Sequence, residues 1–260
     1  MNIVVFSKDR SCQLELFLRS MKEYFKEYDQ YTINVLYKTS NSFFQNGYDI
    51  LIDEYKEVNF LFEMSFKSDL ISLIDLNKEY TIFFVDDIIW KESFSIFCDE
   101  FERFKFDKNI LTFSLRLNTN LKYCYAASVN MKPTMSTIFD WRGLQGDYGY
   151  PMSLDGHFFR TIEIMVYLRE LQYNNPNQLE AMMASCPINK PKMICCEKSI
   201  IFNNPCNKVQ TNNSNKHGNI TAEYLNQEFL KGCRIDLNPY RGLNNESCHK
   251  EMPVNLLKNN

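Results

Sequence analysis

Long apolar runs, disulfide spacings, glycine-rich loops and a basic excess are all missing from this 260-residue chain. Each absence removes a class of protein. No apolar stretch approaches the ~20 residues of a membrane-crossing helix, so no transmembrane segment is expected. No basic-then-apolar leader opens the sequence, because Met1 runs directly into a strand pattern. A cytoplasmic location is the expectation, with peripheral membrane association left open. The 29 Lys and Arg residues are outnumbered by 32 Asp and Glu, for a net charge of -3. Nucleic acid is therefore not an expected partner, since a clustered basic face is what grips a phosphate backbone. The nine cysteines are odd in number, irregularly spaced and mostly set in apolar segments. That pattern suits reduced thiols rather than a disulfide framework. Cys186, Cys195, Cys196 and Cys206 lie close together with His217 nearby, yet none forms the C-x-x-C spacing of a structural zinc site. There are no internal repeats.

The chain does have short apolar strands alternating with helical segments. Hydrophobic residues make up 45% and aromatics 15%, enough for one large α/β domain or two joined halves. Asn2-Ile-Val-Val-Phe-Ser7 reads as a buried strand, followed by polar Lys8-Asp9-Arg10-Ser11 and a helix carrying Leu14, Leu16, Phe17, Leu18 and Met21. Ser11 or Asp9 can cap that helix. Tyr31 to Tyr37 and Val58 to Phe62 are further strands, and Phe66 to Leu76 is helical. The next run, Tyr80-Thr-Ile-Phe-Phe-Val-Asp-Asp-Ile-Ile-Trp90, is the most informative. An unbroken apolar run of this kind is a strand buried on both faces of a parallel sheet. Ligands bind beyond the carboxyl ends of such strands, where Asp86 and Asp87 sit. Adjacent carboxylates repel, so Mg²⁺ or Mn²⁺, which prefer hard oxygen ligands and bridge to phosphates, gives a reason to hold them together. A solvated Asp-Asp turn explains the same pair, and the motif alone does not separate the two.

Beyond Trp90, Ser93 to Phe104 reads as a helix with Phe94, Phe97, Phe101 and Phe104 on one face. Strands are expected over Ile110 to Arg116, Leu121 to Ala127 and Met193 to Phe202. Residues 133–151 mix aromatics, acids and glycine in a loop region. There Trp141, Arg142 and Tyr148 suit a sugar, which has one apolar face and many hydroxyls. An aromatic plug between two halves accounts for Trp141 equally well. His157 to Leu171 is expected as a helix with Phe158, Ile162, Met165 and Leu168 on one stripe, and Asp155 ahead of it can be its N-cap. The Asn-rich segment 203–218 is expected to be mobile, with Lys208, Lys216 and His217 as available charges. A final helix over 221–231 stops at Gly232.

Four stretches taken together carry a resemblance. They are Val4 to Arg10 with Leu14 and Leu18-Arg-Ser20; Val85-Asp86-Asp87; Leu154-Asp155-Gly156-His157-Phe-Phe-Arg160; and Asn204 to Gln210 with Phe229 to Leu237. In this order the chain resembles the GT-A-fold, nucleotide-sugar-dependent glycosyltransferases, close to the large inverting group that builds bacterial surface polysaccharides. The resemblance implies an α/β fold with a Rossmann-type mixed, mostly parallel sheet flanked by helices. It implies a donor-binding half over residues 1–110 and an acceptor-binding half over 111–260. Mn²⁺ or Mg²⁺ would be held by Asp86 and Asp87, with His217 as a further ligand or merely exposed. A nucleotide-diphosphate sugar, with a UDP-sugar expected, would lie against Phe6, Ser7, Lys8, Arg10, Lys38, Thr39, Asp69, Asp86 and Lys208. A glycan or lipid-linked acceptor would meet Trp141, Arg142, Tyr148 and His157. Asp155 is implied as the carboxylate that takes the acceptor's proton, with Asp147 its rival.

The chain departs from that group where the second strand ends. Lys38-Thr-Ser-Asn41 offers no acidic turn to grip a nucleoside. Two other readings stay in view. A sugar nucleotidyltransferase would share sheet and metal, but would bring a Gly-rich basic loop after the first strand. A non-catalytic sugar- or nucleotide-binding module would use the acids only to end a strand.

Overall fold

The computed structural model describes residues 1–207 and 218–258. The first half runs β1 (Asn2–Lys8), α1 (Ser11–Tyr24), β2 (Ile33–Lys38), α2 (Ser42–Glu54), β3 (Asn59–Phe62), α3 (Phe66–Ser72), β4 (Tyr80–Val85), β5 (Ile88–Trp90), α4 (Asp99–Phe106) and β6 (Ile110–Ser114). The second half adds the short β7 (Tyr123–Cys124), β8 (Val129–Asn130) and β9 (Ile138–Asp140), then β10 (His157–Arg160), α5 (Thr161–Glu170), α6 (Pro176–Ala184), β11 (Lys192–Cys195), β12 (Ile201–Asn203), α7 (Ala222–Leu230), β13 (Cys233–Ile235) and β14 (Leu256–Lys258).

Eight strands form one sheet in the order β3-β2-β1-β4-β10-β6-β11-β9. All pairings among β3, β2, β1 and β4 are parallel, and so is β6 with β11. β10 is antiparallel to both β4 and β6, and β9 is antiparallel to β11. This is the mixed, mostly parallel, helix-flanked α/β sheet expected from the sequence. It runs unbroken between the segments 1–110 and 111–260, with β6 starting at their boundary and β10 set between it and β4.

Period-two alternation divides the apolar residues between two faces. Ile3, Val5, Ile82, Phe84, Phe113 and Phe158 face one core, packed by α1, α2, α4 and α7. Val4, Phe6, Leu36, Phe83 and Phe159 face the other, packed by α3, α5 and α6. Both faces are covered, which is why β1 and β4 read as continuous apolar runs.

Several elements differ from expectation. His157 to Arg160 is a strand rather than the start of a helix, and α5 begins only at Thr161. Cross-strand pairing of this segment with β4 and β6 overrides its helical spacing, and Arg160, not Asp155, sits at the N-cap of α5. The expected strand from Met193 to Phe202 is two strands in different sheets. α4 starts at Asp99, leaving Phe97 outside it and 72% exposed. Neither Ser11 nor Asp9 caps α1; the N-cap position is Arg10, with no side-chain cap. Asp9 instead adopts φ +55° and accepts hydrogen bonds from the Ser40 backbone N–H and hydroxyl at 2.7 and 2.6 Å. Lys208, Lys216 and His217 lie outside the described residues. All nine cysteines are free thiols. Among the described residues no helix is long and apolar enough to cross a membrane.

The ring of Phe158 anchors the junction at β10. It stacks on Phe113 at 5.6 Å and meets Phe101 edge-on at 5.0 Å. Phe158→Ala is expected to cost about 3–5 kcal/mol, the range for deleting a buried aromatic. Urea unfolding followed by circular dichroism measures it, and a loss below about 1 kcal/mol would show that β10 is not a core strand.

Candidate active site

Beyond the carboxyl ends of the parallel strands lies a cavity of about 770 Å³, within the range of small-molecule sites. The chain moves outward from β1 through β2 to β3, then returns to β4 on the other side of β1. That reversal is a topological switch point, where open α/β sheets open a crevice. One wall comes from strand ends: Phe6, Ser7, Lys8 and Arg10 after β1, Leu36 and Lys38 of β2, Glu63 just past β3, and Val85, Asp86 and Asp87 at β4. The rest of the lining includes Arg116, Tyr125, Asp147, Tyr150, Asp155, Glu180 and His249.

Asp86 is buried and fully engaged. One oxygen accepts from the Ser7 hydroxyl at 2.9 Å and the Lys8 N–H at 3.2 Å, and the other accepts from Arg10 Nη1 at 3.0 Å. Ser7 is held in turn by the buried Tyr48 hydroxyl at 2.6 Å, which also accepts from the Arg10 N–H at 3.2 Å. Asp87 accepts from Asn203 Nδ2 at 2.9 Å and lies 3.5 Å from Arg10 Nη1. Arg10 Nη2 donates to the Asn207 carbonyl at 2.6 Å. A single guanidinium therefore faces both acids.

Buried Arg116 plays a parallel part in this second group. It pairs with Asp147 at 3.2 Å and with Asp155 at 3.1 Å. His249 Nε2 is 3.7 Å from the same Asp155 oxygen. Its segment is fixed beside Asp87 by two backbone bonds, Asn203 N–H to the Cys248 carbonyl and Lys250 N–H to the Asn203 carbonyl, both 2.9 Å. Glu180 lies one turn into α6, a helix that opens with an Asn175 cap and Pro176, and accepts from the Leu154 N–H at 3.3 Å.

Burial dominates the electrostatics. Desolvation raises the carboxyl pKa values of Asp86 and Asp87, with Arg10 partly offsetting it, and raises that of Asp155 against the pull of Arg116. Glu180 shifts the same way. Burial and the charge of Asp155 push it to about 7. Burial and Arg116 lower the pKa of His249, leaving its ring neutral at neutral pH.

The residues present fit a divalent cation. The cavity lining carries Glu63, Asp86, Asp87, Asp147, Asp155 and Glu180 against Lys8, Arg10, Lys38 and Arg116 among the described residues. An anionic ligand entering that acid excess needs added positive charge. Among the described residues no three His, Cys, Asp or Glu side chains form a complete metal cage. Mg²⁺ commonly does without one, using one or two carboxylates with substrate phosphates and water. Asp86 already accepts from three protein donors, whereas Asp87 accepts from Asn203 and lies 3.5 Å from Arg10.

Of the residues named from sequence, Phe6, Ser7, Lys8, Arg10, Lys38, Asp86, Asp87, Asp147 and Asp155 all line this cavity. Thr39 and Asp69 do not. Thr39 bonds Gln45, and Asp69 accepts from the Met64 and Ser65 N–H groups at the start of α3. The expected acceptor-side residues are also outside the lining. Trp141 donates to the Lys190 carbonyl, Arg142 pairs with Asp140 on the surface, and buried Tyr148 bonds the Asn118 carbonyl and Leu121 N–H. His157 is wholly buried in the sheet, its Nδ1 3.1 Å from the Pro151 carbonyl, and burial lowers its pKa to about 3. Lys208 and His217 fall outside the described residues.

Sequence reading overlooked Arg116, Glu180 and His249. Arg116, a cation at the end of an apolar strand, and Glu180, a carboxylate just inside an Asn-Pro helix start, left local signals. His249 left none, because only tertiary pairing with Asn203 brings it here.

Comparison with known proteins gives one close sequence relative to report. The chain is 29% identical over 233 residues to the bifunctional glycosyltransferase pgtA of Dictyostelium discoideum, covering 74% of this chain. It spans only 30% of that protein's length. Among solved structures, mouse xyloside xylosyltransferase 1 in its apo form overlaps 70% of this chain and 71% of that one, at 10% identity and a TM-score of 0.36. A likeness that distant carries no argument. No protein-family model matches the chain.

Removing Arg116 tests how Asp147 and Asp155 are held. Arg116→Met strands two buried carboxylates and is expected to cost about 3–5 kcal/mol, the scale for breaking a buried ion pair from one side. Adding Asp147→Asn and Asp155→Asn in the same chain is expected to recover part of that loss. Thermal unfolding of the single and triple variants decides it; an Arg116→Met variant as stable as wild type would mean the two acids do not depend on this cation.

Proposed function

We propose that this chain is a glycosyltransferase that moves a sugar from a nucleoside-diphosphate donor to a hydroxyl acceptor. The observation that carries the reading is the cavity at the switch point, where a strand-end Asp-Asp pair and two cations face a second group of titratable acids. Sequence similarity to a bifunctional glycosyltransferase supports it. UDP-sugars are the first donors to test, and a glycan or lipid-linked hydroxyl is the expected acceptor. The inverting outcome and a role in polysaccharide biosynthesis rest on the family resemblance, and a cytoplasmic location on the pattern of free thiols.

In this reading the diphosphate lies over the ends of β1 and β4, against Lys8 and Arg10. Mn²⁺ or Mg²⁺ anchored by Asp87 supplies, when bound, positive charge opposite the departing diphosphate. The acceptor oxygen forms a bond to the anomeric carbon as the bond to the diphosphate oxygen breaks, and the acceptor's proton passes to a carboxylate. We assign that role to Glu180 over Asp155 and Asp147. Both aspartates are paired to Arg116, whereas Glu180 at about pKa 7 is matched to proton transfer at neutral pH. Asp155 and Arg116 then set the field in which Glu180 titrates.

Two outcomes check the assignment. Asp87→Asn is expected to lower sugar transfer by roughly 10²-fold or more, the scale of one lost electrostatic group in an active site. Wild-type turnover by that variant in EDTA would remove the metal role. Because the pKa of Glu180 is raised from 4.5 to about 7, its basic form is lost as pH falls through 7. Wild-type kcat/KM should therefore drop on the acid side. Glu180→Gln should lower kcat by roughly 10²–10⁴-fold and abolish that limb. A near-silent Glu180→Gln beside an inactive Asp155→Asn would move the base to Asp155.

A further inference from the structure

The two strands outside β1, on the side away from β4, end in a feature that the catalytic reading does not use. Lys38 closes β2, and Glu63 follows β3, its backbone N–H continuing the ladder to the Tyr37 carbonyl at 2.7 Å. Their side chains pair at 2.9 Å, and both line the cavity. The Glu63 side chain is only 14% exposed while that of Lys38 is 48% exposed. Beneath them lies an apolar floor of buried Phe6, Leu36 and Phe66, the two rings 5.4 Å apart and tilted by 54°.

We propose that Glu63 grips the ribose of the donor nucleotide, its two carboxylate oxygens accepting from the vicinal 2′- and 3′-hydroxyls. This rests on the reading of the cavity as a nucleoside-diphosphate site. The chemistry is specific: a carboxylate is an acceptor with two oxygens, and a cis-diol presents two O–H donors side by side. The other carboxylates of the cavity lie elsewhere in it. Asp86 and Asp87 face Arg10, Asp147 and Asp155 face Arg116, and Glu180 bonds the Leu154 N–H. Glu63 is the one acid on the β2–β3 side among the described lining residues.

The spacing agrees. Adjacent strands are about 4.8 Å apart, so a carboxylate leaning from β3 toward β2 stands roughly 10–14 Å from the end of β4. A nucleoside spans that interval, with the diphosphate over β1 and β4 and the base face against the aromatic floor. The acid that is missing after β2 is thus supplied from the next strand. Lys38 pairs with Glu63 from an exposed side chain, and the ribose diol displaces its ammonium from the carboxylate.

Calorimetric titration with UDP, GDP, their 2′-deoxy and 3′-deoxy counterparts and inorganic pyrophosphate, in the presence of Mg²⁺, tests the assignment. Wild type should bind the preferred ribonucleotide roughly 10–100-fold more tightly than its deoxy forms, the value of hydrogen bonds to a charged group. Glu63→Leu should erase that difference by weakening only the ribonucleotide, with pyrophosphate binding unchanged as proof of an intact fold. Equal binding of ribo- and deoxynucleotides by wild type, or a preference that survives in Glu63→Leu, overturns the inference while leaving the nucleotide site standing. Binding of neither nucleotide nor pyrophosphate by wild type overturns the site reading itself, and the ribose assignment with it.

Discussion

The burial of two carboxylates where β4 stops is the constraint on which the rest of this molecule turns. A carboxylate removed from water must be met by donors or by opposite charge. Every donor to Asp86 comes from the end of β1: a hydroxyl, a backbone N–H and a guanidinium. That requirement shapes the β1–α1 connection. Asp9 takes a left-handed conformation that short polar side chains tolerate, and the turn delivers Lys8 N–H and Arg10 to the same acid. Arg10 then reaches the Asn207 carbonyl, so one side chain ties the first strand, the fourth strand and the late segment after β12.

Arg116 repeats the arrangement with Asp147 and Asp155, and the two arginines leave a surplus of acid. The linkage has a definite sign. Asp86, Asp87, Asp155 and Glu180 all have folded pKa values above their ordinary ones. The folded state therefore holds more protons than the unfolded chain between the two sets of values, and stability falls as pH rises through that window. A fold selected only for stability would have replaced such groups with apolar ones. Retaining them is what a binding or catalytic cavity requires.

How much of this was legible depends on how local each cause is. β1 and β4 could be read directly, because burial on both faces turns a strand into an unbroken apolar run. Asp86 and Asp87 stood out because they interrupt that run. β10 was read as helix because Phe158, Ile162, Met165 and Leu168 keep helical spacing, while the pairing that makes His157 to Arg160 a strand comes from β4 and β6, more than forty residues away in each case. Trp141 and Tyr148 looked like sugar-binding aromatics by composition. Their polar atoms are used by backbone carbonyls distant in sequence instead. Glu63 passed unnoticed because one acid after a short strand has no signature until the sheet order sets it beside Lys38.

Gly156 shows how a single position sorts neighbouring residues into different roles. Its φ of +71° lies in the left-handed region, and a Cβ there would stand 2.2 Å from Ile201 Cδ1. Its N–H bonds the Phe83 carbonyl and its carbonyl receives the Leu115 N–H, so the residue is stitched to strands on both sides. The chain enters this turn with Asp155 in the cavity and leaves it with His157 buried in the sheet. Asp155 is thereby fixed against Arg116 and beside Glu180. A charge held there by a buried cation raises the proton affinity of the neighbouring glutamate, so the acid made prominent by sequence acts on the one that sequence concealed.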